Sequence, residues 1–381
     1  MNWKIPLASL EIGAAEREAV ETVLRSGWLS MGEMTQKFER AFADFVGVRQ
    51  AFAVANGTAA LHLAVAALGL GPGDFVAVPA LTFVASVSAV LYTGAEPFFV
   101  EVVGSNDLTL SPEDLERRLT PRTRAVLVVH YGGYVCDMGA ILAIARRHGL
   151  AVIEDAAHAP GAARDGRRAG AFGDVGCFSL FANKNLSTGE GGVVVTDRDD
   201  LAERIRLMRS HGMTTSTWDR WQGHAWSYDV VELGFNYRLD EMRAALGLVQ
   251  LERVEAGNRR RAEWAARYRE LLAEVRGVTV PFSRYEGTSA HHLFPVLLRD
   301  SFTRAHVMEA LARDGIQTSI HYPPVHLFQY YRKRFPHFVG TLPVTEELAG
   351  RELSLPLYPS LGERNVETVV AALARALADR G

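Results

Sequence analysis

The sequence has few cysteines, no long apolar run and no excess of positive charge. Only two of its 381 residues are cysteines, Cys136 and Cys177. Two are too few for a disulfide framework and are typical of a reducing compartment. The formal net charge of -3 provides no long-range basic field to attract nucleic acid or an anionic membrane surface.

The sequence also shows no pattern typical of a signal peptide or a membrane-spanning helix. No window reaches the roughly 18 uninterrupted apolar residues that a membrane helix requires. The most apolar segment, TFVASVSAVLYTG, is short and contains serine and threonine. The first residues, MNWKIPLASLEIGAAEREA, lack the basic flank and apolar core of a signal peptide. We therefore expect a cytoplasmic protein with no nucleic-acid or membrane partner.

Short apolar segments alternate with helical segments over the first two thirds of the chain. This alternation predicts an α/β fold, with a mostly parallel sheet covered by helices on both faces. Helices are predicted between most of these strands, the one over 111–120 starting with Ser111 as N-cap and Pro112 at its first position. The predicted strands cover 50–56, 74–80, 96–102, 124–131, 150–156, 175–181 and 191–197.

The pattern changes near residue 250, and a chain of this length exceeds what one hydrophobic core usually supports. A long charged helix is predicted over 238–275, followed by a smaller α+β region. We predict a large cofactor-binding domain over 1–250 and a small C-terminal domain over 251–381. The aromatic segment 213–237 has little periodicity, and loops of this length are usually functional or intersubunit. The elements predicted for the small domain are strand 291–298, helix 301–315, strand 316–322 and helix 365–381.

The segment NGTAALHL, residues 56–63, places a turn at Gly57 before a helix that begins near Thr58. The first backbone N–H groups of a helix have no partner within it, and the helix dipole is positive there. The segment therefore suits a phosphate, with the Thr58 hydroxyl as a further donor. Simple helix capping explains the same residues.

The segment AVIEDAAHA ends an apolar strand with Glu154 and Asp155. A carboxylate at the carboxyl end of a parallel strand can face the ligand crevice and stabilise a protonated ring nitrogen. Alternatively, Asp155 caps the following turn. His158 could bind a ring hydroxyl or act in acid–base chemistry, although a lone histidine is more often structural.

The segment CFSLFANKNLSTGEGG places Lys184 between an apolar strand and a glycine-rich turn. A partly desolvated lysine loses its proton easily and can form a Schiff base, whereas most lysines are surface residues. Ser179 could donate to a phosphate, and Phe83 could stack on a planar ring or pack in the core. Together with Asp155, these residues are the parts of a pyridoxal 5'-phosphate (PLP) site. No metal is predicted.

From about Trp28 to the C-terminus, the sequence resembles the DegT/DnrJ/EryC1/StrS sugar aminotransferases, a family of fold-type I PLP enzymes. The matching segments include NGTAALHLAVAALGLGPGDF, VIEDAAHA, FSLFANKNLSTGEGGVVVTD, GFNYRLDEM and TSIHYPPVH. The resemblance implies a mostly parallel seven-stranded-type sheet between helices in the large domain. It also implies a homodimer whose active sites are shared between subunits.

The resemblance assigns roles to matching positions. Lys184 would bind the PLP aldehyde, Asp155 would pair with the pyridine nitrogen, and His158 would contact the ring hydroxyl. Many relatives have glutamine in place of this histidine, and threonine or serine in place of Asn183. The remaining cofactor-binding residues implied are Phe83 on the ring, Gly57, Thr58, Ala59 and Ser179 at the phosphate, and Asn236 from the neighbouring subunit.

A lysine rather than a histidine at position 184 favours transamination over sugar deoxygenation in this family. We expect glutamate or glutamine as the donor and a nucleotide-linked keto-sugar as the acceptor. The alternatives are a free keto-cyclitol or aminoglycoside precursor, or a PLP-binding regulatory protein without turnover. His321 and Tyr322 could face the sugar or shape a turn. Arg260, with its neighbours Arg259 and Arg261, could bind a pyrophosphate or lie on a solvated helix face.

Overall fold

A computed structural model describes residues 3–223 and 226–378. The helices predicted over 111–120, 238–275 and 301–315 are present within those bounds. The Ser111 hydroxyl accepts the N–H of Asp114 at the start of the first of them. The α-helices of the described ranges are α1 Ala14–Ser26, α2 Glu33–Val46, α3 Gly57–Ala67, α4 Val84–Tyr92, α5 Pro112–Arg118, α6 Met138–His148, α7 Asp199–Met208, α8 Thr217–Trp221, α9 Glu241–Leu272, α10 Ser301–Arg313, α11 Gln329–Arg334, α12 Pro343–Arg351 and α13 Glu363–Ala378. Short 3-10 helices cover Tyr131–Gly133, Val325–Leu327 and Pro336–Phe338.

The strands form one large sheet and three small ones. They are β1 Gln50–Val54, β2 Phe75–Pro79, β3 Glu96–Val100, β4 Val102–Gly104, β5 Asp107–Leu110, β6 Thr123–Val129, β7 Ala151–Asp155, β8 Ala163–Arg164, β9 Arg167–Arg168, β10 Val175–Ser179, β11 Gly192–Thr196, β12 Val278–Thr279, β13 Phe294–Leu298 and β14 Glu352–Leu355.

The large sheet has seven strands in the order β1-β11-β10-β7-β6-β2-β3. Its members pair in parallel except β11, which runs antiparallel to both β1 and β10. Strand residues alternate between two buried clusters, because successive side chains point to opposite faces. In β2, Ala77 belongs to one cluster, and Val76 and Val78 belong to the other. The predicted α/β fold with a mostly parallel seven-stranded sheet is therefore confirmed.

The C-terminal region contains the antiparallel sheet β12-β13-β14 and helices that include α10 and α13. The strand predicted over 316–322 is wrong. This segment makes only isolated bridges, one between Ile316 and Ile5 and one between Ser319 and Ser354. Its backbone groups find partners on separate elements, so no continuous ladder forms.

Helix α9 crosses the predicted domain boundary between residues 250 and 251. Its first half packs against α1 and α2, and its second half contributes Tyr268 and Leu272 to the C-terminal core. Ile5 also packs in that C-terminal core. The division at 250/251 stays a prediction. The last three residues of the predicted helix 365–381 lie outside the described residues.

The described residues contain neither a membrane-spanning helix nor a group of side chains placed to hold a metal ion. Within 3–223 and 226–378, no helix combines the length and apolarity needed to cross a bilayer. The same ranges contain no group of three or more histidine, cysteine or acidic side chains placed to hold a metal ion.

Candidate active site

A cavity of about 510 Å³ opens at the carboxyl ends of the parallel strands β2, β7 and β10. Ligands bind at this edge in open α/β sheets, and the volume lies within the range of about 300–1,000 Å³ that small-molecule sites have. Nine of the residues predicted from the sequence line it: Gly57, Thr58, Phe83, Asp155, His158, Ser179, Lys184, His321 and Tyr322.

Asp155 is the last residue of β7, and its carboxylate is buried at the base of the cavity. Its Oδ2 accepts a hydrogen bond from Ser86 Oγ at 2.7 Å, and its Oδ1 accepts the Ala157 N–H at 3.2 Å. Burial raises the pKa of Asp155, while the Ser86 and Ala157 hydrogen bonds and the positive charge of Lys184 oppose this effect. A buried carboxylate in this position is stabilised by a cationic partner.

Lys184 lies in the loop between β10 and β11, where the Lys184 N–H bonds to the Phe181 carbonyl. Burial lowers the pKa of Lys184 to about 8, against the opposing effect of the Asp155 charge. Among residues 3–223 and 226–378, the Lys184 amine makes neither an ion pair nor a hydrogen bond. An amine with this pKa is partly deprotonated near neutral pH and is therefore a competent nucleophile.

The amino terminus of α3 forms the opposite end of the cavity. The backbone of Gly57 comes so close to Ser179 that a Cβ added there would lie 2.8 Å from Ser179 Cβ. Ser179 Oγ accepts the Phe181 N–H at 3.4 Å, which leaves its own proton free to donate. Together with the helix dipole, these features form an anion site.

Ala59, also predicted at the phosphate, does not line the cavity. Its N–H donates to Asn56 Oδ1 at 2.8 Å, and the Ala59 side chain is buried away from the cavity. The N-cap side chain therefore takes this donor within the chain, and a contact of Ala59 with the phosphate stays a prediction.

His158 is buried between a backbone group and a tyrosine. Its Nδ1 accepts the Gly132 N–H at 3.3 Å, so the ring proton of a neutral imidazole is on Nε2. That proton points to Tyr322 Oη, 3.0 Å away. Burial lowers the pKa of His158 well below its usual value, with smaller contributions from Lys184 and His321. Because Nε2–H donates to Tyr322, the Tyr322 hydroxyl proton is available to the cavity.

Phe83 is the N-cap residue of α4 and lies at the mouth of the cavity. Its side chain is 55% exposed, and its ring centroid lies 5.8 Å from that of Tyr322. A large aromatic ring left this open excludes the core-packing interpretation. It suits contact with a planar ligand.

Besides Ala59, two further predicted residues lie outside the cavity. Arg260 is exposed on α9, pairs with Glu263 at 3.0 Å and lies over the Trp264 ring, so within one chain it is a solvated-face residue. The predicted contact of Arg260 with the substrate is not formed within one chain and stays a prediction. Asn236 bridges Ser210 and does not line the cavity of its own chain.

Three polar residues at the site were missed by the sequence analysis. Ser86, which bonds Asp155, lies three residues after Phe83, and this helical spacing on α4 is the one signal that could have indicated it. Glu352 and Ser354 on β14 contact His321 from behind the cavity. They come from a short strand far away in sequence, and no local pattern marks them.

The residues present fit PLP. The buried Asp155 carboxylate offers an anionic partner for a protonated ring nitrogen. The Lys184 amine is without a partner in the described part of the chain and has a pKa near neutrality. The anion site at α3 and the exposed Phe83 ring suit a phosphate and an aromatic ring, respectively.

Comparisons with known proteins give one family. The model of the DegT/DnrJ/EryC1/StrS aminotransferase family matches residues 10–374. The Bacillus subtilis spore coat polysaccharide biosynthesis protein SpsC is 42% identical over 377 residues, which cover 98% of this chain and 97% of SpsC.

Solved structures give the same result. The aminotransferase TlmJ from Streptoalloteichus hindustanus is 36% identical with a TM-score of 0.90, and 99% of each chain is covered. Helicobacter pylori PseC, an aminotransferase involved in the biosynthesis of pseudoaminic acid, is 26% identical with a TM-score of 0.92. That match covers 98% of this chain and 99% of PseC. Structural neighbours include PLP and PMP forms.

Proposed function

This chain belongs to the DegT/DnrJ/EryC1/StrS aminotransferase family, and from this membership we propose that it transfers an amino group from glutamate or glutamine to a nucleotide-linked keto-sugar. The protein is a PLP-dependent aminotransferase. The observation that carries the sugar assignment is the 42% identity to SpsC across nearly the whole chain. Because polysaccharides are built from activated sugars, a nucleotide-linked acceptor agrees with that relationship.

We propose that Lys184 Nζ holds PLP covalently and that Asp155 keeps the ring nitrogen protonated. The bound cofactor supplies an electron sink that acidifies a C–H bond next to the reacting nitrogen. Asp155 is suited to its role because Ser86 and Ala157 fix its two oxygens on the buried floor of the cavity. The anion site formed by Gly57, Thr58 and Ser179 would bind the phosphate.

Lys184 also supplies the acid–base group. An amine with a pKa of about 8 can both take and return a proton near neutral pH, and matched pKa values make such transfers efficient. His158 and Tyr322 keep one orientation through their mutual hydrogen bond. The Tyr322 hydroxyl thereby presents a donor to the cofactor or the substrate.

We further propose a cytoplasmic homodimer, in which Asn236 reaches the phosphate site of a second copy. Within one chain Asn236 lies outside the cavity, so its predicted role requires a neighbour. The aromatic segment around it is strongly exposed: Trp226 is 99% exposed and Leu233 is 85% exposed. Exposed apolar clusters of this kind are typical of association surfaces.

The test is a pair of measurements on the PLP-loaded protein. Glutamate and glutamine, added separately, should convert the cofactor spectrum to the amine form in single turnover, and the Lys184→Ala variant should not. An unchanged spectrum with both donors would support the regulatory alternative. A nucleoside diphosphate titrated by calorimetry should then bind in the micromolar range. No binding at millimolar concentration would favour a free keto-cyclitol acceptor.

A further inference from the structure

Behind His321 lies a buried acidic residue that the chemistry above does not use. His321 Nδ1 is 2.9 Å from Ser354 Oγ, and Ser354 Oγ is 2.6 Å from Glu352 Oε1. The second carboxyl oxygen, Glu352 Oε2, accepts the His321 backbone N–H at 2.8 Å. Glu352 and Ser354 are fully buried on β14, whereas His321 lines the cavity. A continuous hydrogen-bond chain therefore joins a buried carboxyl to the active site.

We propose that Glu352, Ser354 and His321 form a proton relay that delivers a proton to the ketone oxygen of the acceptor. This inference rests on the proposed function, since the ketone belongs to the acceptor. His321 is the residue that touches the substrate, and Glu352 and Ser354 are positioning residues that act through it. His321 Nε2 is the ring nitrogen without a hydrogen-bond partner in the described part of the chain.

The proton transfer balances along the chain. The His321 Nε2–H bond breaks and an O–H bond forms on the ketone oxygen. The Ser354 proton passes to His321 Nδ1, and the Glu352 proton passes to Ser354 Oγ. His321 ends neutral with its proton on Nδ1, and Glu352 ends as a carboxylate. No electrons are transferred. The relay is restored when His321 Nε2 takes a proton from water in the cavity, the Nδ1 proton returns to Ser354 Oγ, and the Ser354 proton returns to Glu352.

The surroundings of Glu352 suit a proton reservoir. Burial raises the pKa of Glu352 to about 8, against the opposing effects of the Ser354 and His321 hydrogen bonds and the Arg304 charge. The Tyr131 and Tyr322 hydroxyls are its other titratable neighbours. Glu352 therefore holds its proton at pH 7 and releases it above pH 8.

Burial and the nearby Lys184 charge lower the pKa of His321 to about 4. The imidazole consequently stays neutral over the same pH range and transmits the proton without retaining it. His158 and His292, the other imidazoles close to His321, also have lowered pKa values because they are buried. The relay thus contains one group, Glu352, that changes charge near pH 8.

The relay makes a prediction about the tautomer of His321. Below pH 8 the Glu352 proton directs the Ser354 hydroxyl toward Nδ1, so the ring proton is on Nε2. Above pH 8 the Glu352 carboxylate accepts from Ser354, and the ring proton moves to Nδ1. Side-chain ¹⁵N chemical shifts of histidine-labelled holoenzyme distinguish these two states, and a His321→Gln variant assigns the resonance.

The decisive variant is Glu352→Gln. Its amide can donate to Ser354 Oγ and accept the His321 N–H, so the geometry is kept, but it cannot exchange a proton. We expect His321 to stay in the Nε2–H form from pH 6.5 to 9.5. We also expect kcat to fall about 10²-fold with little change in KM, as for loss of an acid–base group. Ser354→Ala cuts the chain at its centre and should give the same loss of kcat.

Glu346→Gln is the matched control, because Glu346 also bonds a histidine, His326 at 3.0 Å, and both of its side-chain hydrogen bonds use Oε1, so an amide can replace the carboxyl without reversing a donor. It should leave the tautomer switch and the pH profile unchanged. A wild-type tautomer that does not change between pH 6.5 and 9.5, or a switch that persists in Glu352→Gln, would overturn the relay. These spectra do not depend on turnover. The relay can therefore fail while the glutamate half-reaction succeeds, and the half-reaction can fail while the tautomer switch is observed.

Discussion

Replacing Asp155 with asparagine should affect the free and the cofactor-loaded protein differently. In the free protein, burial raises the pKa of Asp155, so the native environment disfavours its charged form. A raised carboxyl pKa contributes stability at low pH that is lost as the pH rises through the folded-state value. At pH 7 the neutral asparagine should therefore stabilise the free protein or leave its stability unchanged.

The hydrogen bonds around position 155 allow the change. The asparagine oxygen can accept the Ala157 N–H, and its amide can donate to Ser86 Oγ, which then donates to Thr82 Oγ1, 2.8 Å away. In the loaded protein the same substitution removes the anionic partner of the ring nitrogen. Removing one partner of a buried pair costs about 3–5 kcal/mol. That cost corresponds to a rate about 10²- to 10⁴-fold slower.

The assay compares thermal unfolding without PLP and the stopped-flow rate of the glutamate half-reaction with PLP. Asp137→Asn is the control, because Asp137 caps α6 away from the cavity and asparagine caps a helix equally well. A free Asp155→Asn protein that is several kcal/mol less stable than wild type, together with an unchanged half-reaction rate, would refute the assignment.

Three further predictions concern the same cavity. Ser86→Ala removes a hydrogen bond to the Asp155 carboxylate worth about 1.5–3 kcal/mol, so the PLP dissociation constant should rise at least about tenfold. The control variant Ser88→Ala, on the same helix, should bind PLP normally. The rate of PLP capture by the free protein should rise with pH and reach half its maximum near pH 8, the pKa of Lys184; a midpoint near 10 would contradict a desolvated amine. Phe83→Ala should weaken PLP binding by about 0.5–1.5 kcal/mol. Because the Phe83 ring is exposed, the melting temperature of the free protein should not change, and a lower melting temperature would indicate a packing role instead.

Much of the large domain could be predicted from the sequence, since its strands are short apolar runs separated by capped helices. Six of the seven strands of its sheet lie within predicted segments, and β6 begins at Thr123, one residue before the predicted strand 124–131. The antiparallel direction of β11 was not predicted, because strand direction depends on the path of the Lys184 loop rather than on local pattern. Segment 316–322 has the amino-acid composition of a strand but forms no continuous ladder of backbone hydrogen bonds, because its bridge partners Ile5 and Ser354 lie on separate elements.

The residues of the candidate site also divide into those that the sequence pattern indicates and those that it does not. Asp155 and Ser179 are the last residues of β7 and β10, and Lys184 lies in the loop after β10. The sheet brings these positions to one edge. Glu352 acts at the cavity only because β14 folds behind His321, a contact that no sequence spacing encodes. Arg260 pairs with Glu263 on an exposed helix face, and its sequence pattern does not distinguish a face in contact with solvent from one in contact with a ligand.

The covalent link between PLP and Lys184 is the most direct test of the account. Borohydride reduction of the loaded protein, followed by proteolysis and mass spectrometry, should place a phosphopyridoxyl group on the peptide that contains residue 184. The modification should be absent from the Lys184→Ala variant. A reduced protein in which residue 184 is unmodified, or in which another lysine carries the group, would contradict the account.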